Sequence, residues 1–270
     1  MLHALSHWLT DLPTTAAAVV SMIGAAAVST LGLFGVHWVI PHEIRSVHND
    51  VSGFTLTILG TIYAVFLAFI AVAVWEDYGR AEMLVQTEAN LVGNLYRDTI
   101  ALPEPMASQL RHTLFVYAET VAQDEWRALV SGQENSAAGW QLLDAAHSSV
   151  VQLHSPDIAT ATMQGAMVRT LNELYDARRG RFQAAVADLP PILWWNLLAG
   201  AAILMVVTYL FGAPSIWMHA AMVGSLGASI GLVLVLIVML NSPFRGENHI
   251  SVEPFEALLR TVETMAYPHN

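Results

Sequence analysis

The sequence predicts an all-α membrane protein with four transmembrane helices and a large helical insertion between the second and the third. Three observations carry this. First, 55% of the residues are hydrophobic and only 12% are charged, whereas soluble domains carry roughly a quarter charged residues. Second, no charged residue lies between Asp50 and Glu76 or between Asp188 and Arg245. These runs are long enough to cross a hydrocarbon core of about 30 Å. Third, the basic residues, all of them arginines, gather on one side of the proposed crossings.

The crossings are placed at 16–40, 52–75, 191–211 and 216–240. The first resembles a secretory signal, since AAA follows an apolar region, but no Lys or Arg precedes it and its apolar stretch exceeds signal length. It is therefore read as a retained helix. Four crossings place residues 1–15, 76–190 and 241–270 on one side, with 41–51 and 212–215 on the other. Arg80, Arg178, Arg179, Arg181 and Arg245 belong to the first side and Arg45 alone to the second. The positive-inside rule makes the first side cytoplasmic. Trp75, Trp194 and Trp195 then fall at the inner interface and Trp38 and Trp217 at the outer one, where amphipathic rings prefer to lie.

The insertion 76–190 reads as a helical bundle. No breaker interrupts the chain between the second crossing and Pro103, so that crossing is expected to continue as one long helix. A second helix starts in the Pro-rich LPEPM and carries Leu110, Leu114, Tyr117 and Val121 on one face, stopping near Gly132. A third spans about 138–154. The fourth begins at Ser155-Pro156, carries Val168, Leu171, Tyr175 and Phe182, and leads through Pro190-Pro191 into the third crossing. In the tail, Phe255, Leu258, Leu259, Val262 and Met265 form one apolar stripe, which suits packing on protein better than a membrane surface for so short a helix.

Composition also excludes functions. The chain has no cysteine, hence no disulfide framework and no thiolate chemistry. Its net charge of −11 argues against nucleic acid, which requires clustered cations. No nucleophile elbow or phosphate-binding glycine loop occurs, and His42-Glu43 lacks the second histidine of a zinc-protease motif. An enzyme and a bound cofactor are therefore not expected. Asp144, His147 and His154 read as a solvated helix face. Asn241, Pro243, Phe244 and Gly246 read as the turn that ends the fourth crossing.

Three stretches carry a resemblance: HNDVSGFTLTILGTIYAVFLAFIAVAVWEDYGRAEMLVQTEANLVGNLYRD, LRHTLFVYAETVAQDEW and NSPFRGENHISVEPFEALLR. They resemble a family of bacterial membrane proteins described as bestrophin-like. The resemblance implies a pentamer whose second crossing lines a narrow hydrophobic neck, and hence passive ion conduction. Neither the bestrophins' own N-terminal signature nor an acidic calcium clasp is recognisable here.

The second crossing is therefore the place to seek a site. Ile58, Ile62 and Phe66, four apart, make an apolar stripe fit for a dewetting neck; the Thr57/Thr61 face is its rival, and lipid contact is the plainer alternative. Gly53, Gly60, Thr57, Thr61, Ala64 and Ala68 are small enough for another helix to approach closely. At the outer end, PHEIRSVHND reads as a turn in which Pro41 ends one helix and Asn49 or Asp50 caps the next. His48, Asn49 and Asp50 are also candidates for an ion-attracting mouth, and His42, His48 and Asp50 for a divalent cation. Glu76, Asp77 and Glu82 follow the inner end, where recurrence in an oligomer would make acidic rings that favour cations. Glu88 falls on the apolar face of its helix and requires a partner, for which Arg169, Arg178 and Arg179 are candidates. The expected partners are the lipid bilayer, inorganic ions and further copies of the chain. A second reading is a non-conducting scaffold or sensor whose cytoplasmic bundle binds a protein.

Overall fold

A computed structural model describes residues 8–40, 45, 49–131, 137–154 and 157–266. His42 and His48 lie outside these residues, as does the proposed helix start at Ser155-Pro156. Among the described residues the chain is helical, with no strand. We number the helices α1 (Thr14–Val39), α2 (Asn49–Asp98), α3 (Met106–Thr120), α4 (Trp126–Val130), α5 (Ala137–Val151), α6 (Ile158–Val186), α7 (Pro191–Tyr209), α8 (Ile216–Leu240) and α9 (Glu253–Ala266). Four helical runs are long and apolar enough to cross a membrane, and α1, most of the first half of α2, α7 and α8 supply them. The molecule is a membrane protein.

The chain divides into two compact units, one formed by residues 1–78, 188–242 and 246–248 and the other by 79–187, 243–245 and 249–270. As expected from the absence of breakers, α2 is a single helix of 50 residues that contributes to both.

In the first unit the core draws on all four crossing helices, through Leu33, Tyr63, Leu67, Leu197, Leu204, Val223, Ile230 and Ile237. Its closest helix contact is between α1 and α8. A Cβ on Gly231 would stand 2.7 Å from both the Ala25 Cβ and the Ser21 carbonyl oxygen, and one on Gly227 would collide with Ser29. Glycine is required at both positions because the α1 backbone occupies the space a side chain would need. The second crossing, whose small residues are expected to let another helix approach closely, does not use its glycines in this way within the chain. There, a Cβ on Gly53 or Gly60 would make only ordinary contacts, 3.7 Å to Phe211 and 3.8 Å to Leu204. Small residues permit close packing, but which small-residue face is used depends on the partner surface.

In the second unit, the expected second helix runs to Val130 and contains a π-helical turn over Val121–Glu125. Asp157 caps α6 by accepting a hydrogen bond from Thr160 N–H at 2.8 Å, and this bond holds its carboxyl below the usual range. The tail stripe packs inward as expected: Phe255 and Val262 of α9 are buried, while Met265 remains exposed.

Candidate functional site

Within the first unit, α2 turns one side into the helical core and leaves another uncovered. Tyr63, Leu67, Ile70 and Val74 are buried, and the Tyr63 hydroxyl donates to the Leu197 carbonyl at 3.0 Å. A ring so placed needs a small residue opposite, and Gly200 of α7 supplies it. The opposite side exposes Phe54, Ile58, Ile62, Val65, Phe69 and Val72. The apolar uncovered strip is thus continuous along the crossing.

The candidate neck residues divide on this surface. Ile58 and Ile62 are 46% and 62% exposed, whereas Phe66 is half-buried and packs against the core. Thr57 and Thr61 are exposed beside them. Their hydroxyls donate one turn back, to the carbonyls of Gly53 at 2.9 Å and Thr57 at 2.8 Å. With the hydrogen committed, each hydroxyl presents an acceptor oxygen to the uncovered face.

At the N-terminal end of α2, Asn49 does more than mark a helix start. Its Nδ2 donates to the Gly212 carbonyl at 3.0 Å, and its Oδ1 accepts from Gly212 N–H at 2.8 Å. Asn49 therefore ties the start of α2 to the turn between α7 and α8. This replaces the capping role expected of it: a primary amide carries one donor and one acceptor side, which match a peptide unit in full. Asp50, in the first turn of α2, is exposed. Beside this clamp, buried Arg45 donates to the Tyr209 carbonyl at 3.2 Å and lies 2.7 Å from His37 Nδ1. Past the other end of the apolar span, Glu76 and Asp77 of the first unit are exposed, and so is Glu82 of the second.

The second unit holds a charge cluster that the sequence only half discloses. Glu88 is fully buried, as its position on an apolar face predicts. Its tightest partner is Arg181, whose Nε lies 2.6 Å from Oε2 and Nη2 3.1 Å from Oε1. Of the three expected candidates only Arg178 contributes, at 3.8 Å. Arg169 is exposed, and Arg179 is exposed and pairs with Asp176. Helical phase explains the difference: Leu171, Leu174, Arg178 and Arg181 recur at three and four residues on one face of α6, and Arg179 is turned about 100° away.

Glu125, carried by the π-helical turn, completes a balanced set of two carboxylates and two guanidiniums. It accepts from Arg178 at 2.5 and 3.0 Å and from Arg181 at 2.9 Å. Tyr117 donates to Glu88 at 2.6 Å. Burial, and then the Glu88 charge, push its hydroxyl well above the ordinary tyrosine range. For Arg181, burial opposes the charge but the Glu88 carboxylate outweighs it, so its pKa is raised. The rings of Tyr117, Trp140 and Phe182 surround the Arg178 guanidinium at 4.7–5.4 Å. Gly139 of α5 belongs to the same construction, because a Cβ there would strike both Arg178 and Glu125. Near the cluster's edge, Asp144 accepts from Tyr175 and His147 meets that ring edge-on, and Asp144 is exposed, as expected of a solvated face. His154 is exposed.

Among the described residues, no three metal-ligating side chains come together. What remains is a membrane helix with an uncovered apolar face, charged or amide groups at its ends, and a second unit organised on buried ion pairs.

Over residues 23–255 the chain matches the bestrophin-like domain. It belongs to the bestrophin-like family. Solved structures agree on the fold. A point variant of a bacterial bestrophin homologue from Klebsiella pneumoniae superposes with a TM-score of 0.68 at 15% identity, covering 91% of this chain and 99% of that one. A second variant of that homologue gives 0.66 at 15% identity over 93% and 99%. A structure described only as a membrane protein gives 0.68 at 16% identity over 94% and 99%. No protein of curated function matches the chain in sequence. At such identities the likeness concerns the fold, so the bestrophin-like chain's own residues must carry the argument for function.

Proposed function

We propose that this bestrophin-like protein is an ion channel of the bacterial inner membrane, a homo-oligomer with cytoplasmic termini that conducts ions passively along the second crossing. The observation that carries this reading is the uncovered apolar face of α2 from Phe54 to Val72. One chain leaves that face open, and copies arranged about an axis would enclose it. Family membership and the fold shared with bacterial bestrophin homologues support the arrangement and favour a pentamer. Ile58 and Ile62, with Phe66 beneath, form the neck. Thr57 and Thr61 are the alternative lining. His48, Asn49 and Asp50 belong to the outer mouth, and Glu76, Asp77 and Glu82 to the inner one. An apolar constriction blocks conduction by dewetting, while carboxylates at the mouths concentrate cations.

The test is a recording from purified protein in a planar bilayer, combined with cysteine accessibility along 52–75. The chain has no native cysteine, so single introduced thiols report without background. Unitary current steps and periodic water access along α2 are expected. A dry crossing with no currents, together with capture of a protein by the second unit, would establish the scaffold reading instead.

A further inference from the structure

His37, in the last turn of α1, is bound to Arg45, whose Nη2 lies 2.7 Å from the His37 Nδ1. Arginine carries only donors, so Nδ1 is the acceptor and His37 is held as the neutral imidazole with its proton on Nε2. Arg45 also donates to the carbonyls of Tyr209 at 3.2 Å and Phe211 at 3.5 Å, at the end of α7. One guanidinium thus joins α1 to α7. We propose that this link is an acid-sensitive latch: protonation of His37 removes the acceptor and frees the end of α1 from α7. The proposal rests on this geometry and not on conduction.

The chemistry allows the change in one direction. A protonated imidazole donates from both nitrogens, so its Nδ1 hydrogen would be aimed at the guanidinium and two like charges would share one contact. Histidine is the side chain whose charge ordinarily changes between about pH 5 and pH 8. The link is therefore present at the alkaline end of that interval and is lost as pH falls. Arg45 keeps its place, because the α7 carbonyls accept from it in either state and a helix C-terminus favours a cation. Arg45 is buried and His37 is exposed, so the proton arrives at the histidine while the guanidinium stays on α7.

The other titratable groups nearby do not reverse this. The helices α7 and α8 pack against α1, and they bring Tyr209 and His219. The Tyr209 hydroxyl points at Gly32, more than one turn back along α1. His219 is buried, within Coulombic reach of both Arg45 and His37, and its Nε2 lies 3.1 Å from the Thr208 carbonyl. A carbonyl only accepts, so that nitrogen donates, and it does so in neutral and protonated imidazole alike. Acid therefore breaks the bond of His37 and spares that of His219, whose added charge would strengthen the repulsion. Among the described residues no carboxylate, Asp50 included, contacts His37 or Arg45 to offset it.

The experiment attaches spin labels through Val39→Cys and Leu210→Cys, exposed positions at the two helix ends that Arg45 joins, in the full chain, which has no native cysteine. Labelled chains are diluted with unlabelled ones, so that the dipolar coupling is read within one chain. Spectra are recorded in nanodiscs, where buffer reaches both faces, from about pH 8 to about pH 4.5. Strong coupling is expected at the alkaline end, with most of it lost in acid and regained on return. His37→Asn places an amide oxygen near the position of Nδ1 and does not titrate, so it should hold the coupling across the whole range. Arg45→Gln should show the weakened coupling already at about pH 8. Coupling that does not change with pH overturns the proposal. So does an acid response in His37→Asn like that of the unaltered chain, which would assign the response to another group such as His219. If Arg45→Gln does not fold, the unaltered chain and His37→Asn still decide. No current is measured, so failure of the latch is distinguishable from failure of the channel reading.

Discussion

Arg181 Nε meets Glu88 Oε2 at 2.6 Å across 93 positions of sequence, with both side chains fully buried. Two charges removed from water this completely are held by their mutual geometry and by Glu125, Tyr117 and Arg178 around them. Removing one partner leaves the other as an uncompensated buried charge, which costs about 3–5 kcal/mol. Arg181→Met and Glu88→Leu should each lower the unfolding free energy by about that amount, read by thermal unfolding in mild detergent. The double replacement Glu88→Leu with Arg181→Met should be less destabilised than the two singles summed, because the pair is removed together. Additive losses would show that the two residues act separately.

Gly139 gives a steric test of the same cluster. Alanine is the better helix former by about 1 kcal/mol, so on an open helix Gly139→Ala would stabilise. Here the new methyl strikes the Arg178 guanidinium and the Glu125 carboxylate, and a net destabilisation is expected. Gly165→Ala is the control, since a Cβ there meets nothing within 4 Å. It should stabilise or be neutral, and equal effects at both sites would contradict the packing argument.

Tyr117 predicts an alkaline dependence. Its folded pKa is raised by burial and by the Glu88 charge, above an unfolded value of about 10. A raised pKa contributes stability that is fully present below the unfolded value and is lost as pH rises through the folded one. Unfolding free energy should therefore fall above about pH 10, by at most about 1.4 kcal/mol per pH unit for this group. Tyr117→Phe should start less stable, having lost the bond to Glu88, but show a shallower fall between pH 9 and 11. Tyr175 is raised by burial and by Asp144 and adds its own share, so the slope is reduced and not abolished. An unchanged slope in Tyr117→Phe assigns the dependence elsewhere.

These cases mark how far the sequence could be read. The four apolar runs were legible because each is a local property: a stretch without charge either reaches across a bilayer or does not. The burial of Glu88 was legible for the same reason, from helical phase in one segment. Its partner was legible only in part: the face of α6 set by Leu171 and Leu174 turns Arg178 and Arg181 inward and Arg179 outward, but which of the two meets Glu88 most closely depends on the register of α6 against α2, and nothing local fixes that. Glu125 was missed although it follows Leu114 and Val121 at helical spacing, because its burial becomes evident only once Arg178 and Arg181 of α6 are set against it. The α1–α8 contact was missed although Ser21, Ala25, Ser29, Gly227 and Gly231 have the spacing of a close-packing face. The second crossing has a similar set, and small residues do not reveal which face meets which helix.

The channel reading makes the most exposed prediction, and the structure sharpens it. Asp50 and Glu76 lie on either side of a span with no formal charge, and both are exposed in one chain. If copies surround a pore at this face, Glu76→Gln should lower cation preference without opening it, because selection at a mouth is electrostatic and weakens as salt screens it. Ile62→Ala should raise basal conductance with little change in reversal potential, because a smaller side chain widens and wets the neck. Phe66 should behave differently from Ile62. It is half-buried against its own unit's core, so Phe66→Ala should lower stability by up to the roughly 3–5 kcal/mol seen for large core truncations and change conductance less. Reversal potentials in asymmetric salt and current amplitudes separate the three outcomes. Should Glu76→Gln and Ile62→Ala both leave conduction unaltered in a preparation that carries current, the neck assignment fails. The permeation path would then have to run along the Thr57 and Thr61 hydroxyls, where Thr57→Val and Thr61→Val become the informative replacements.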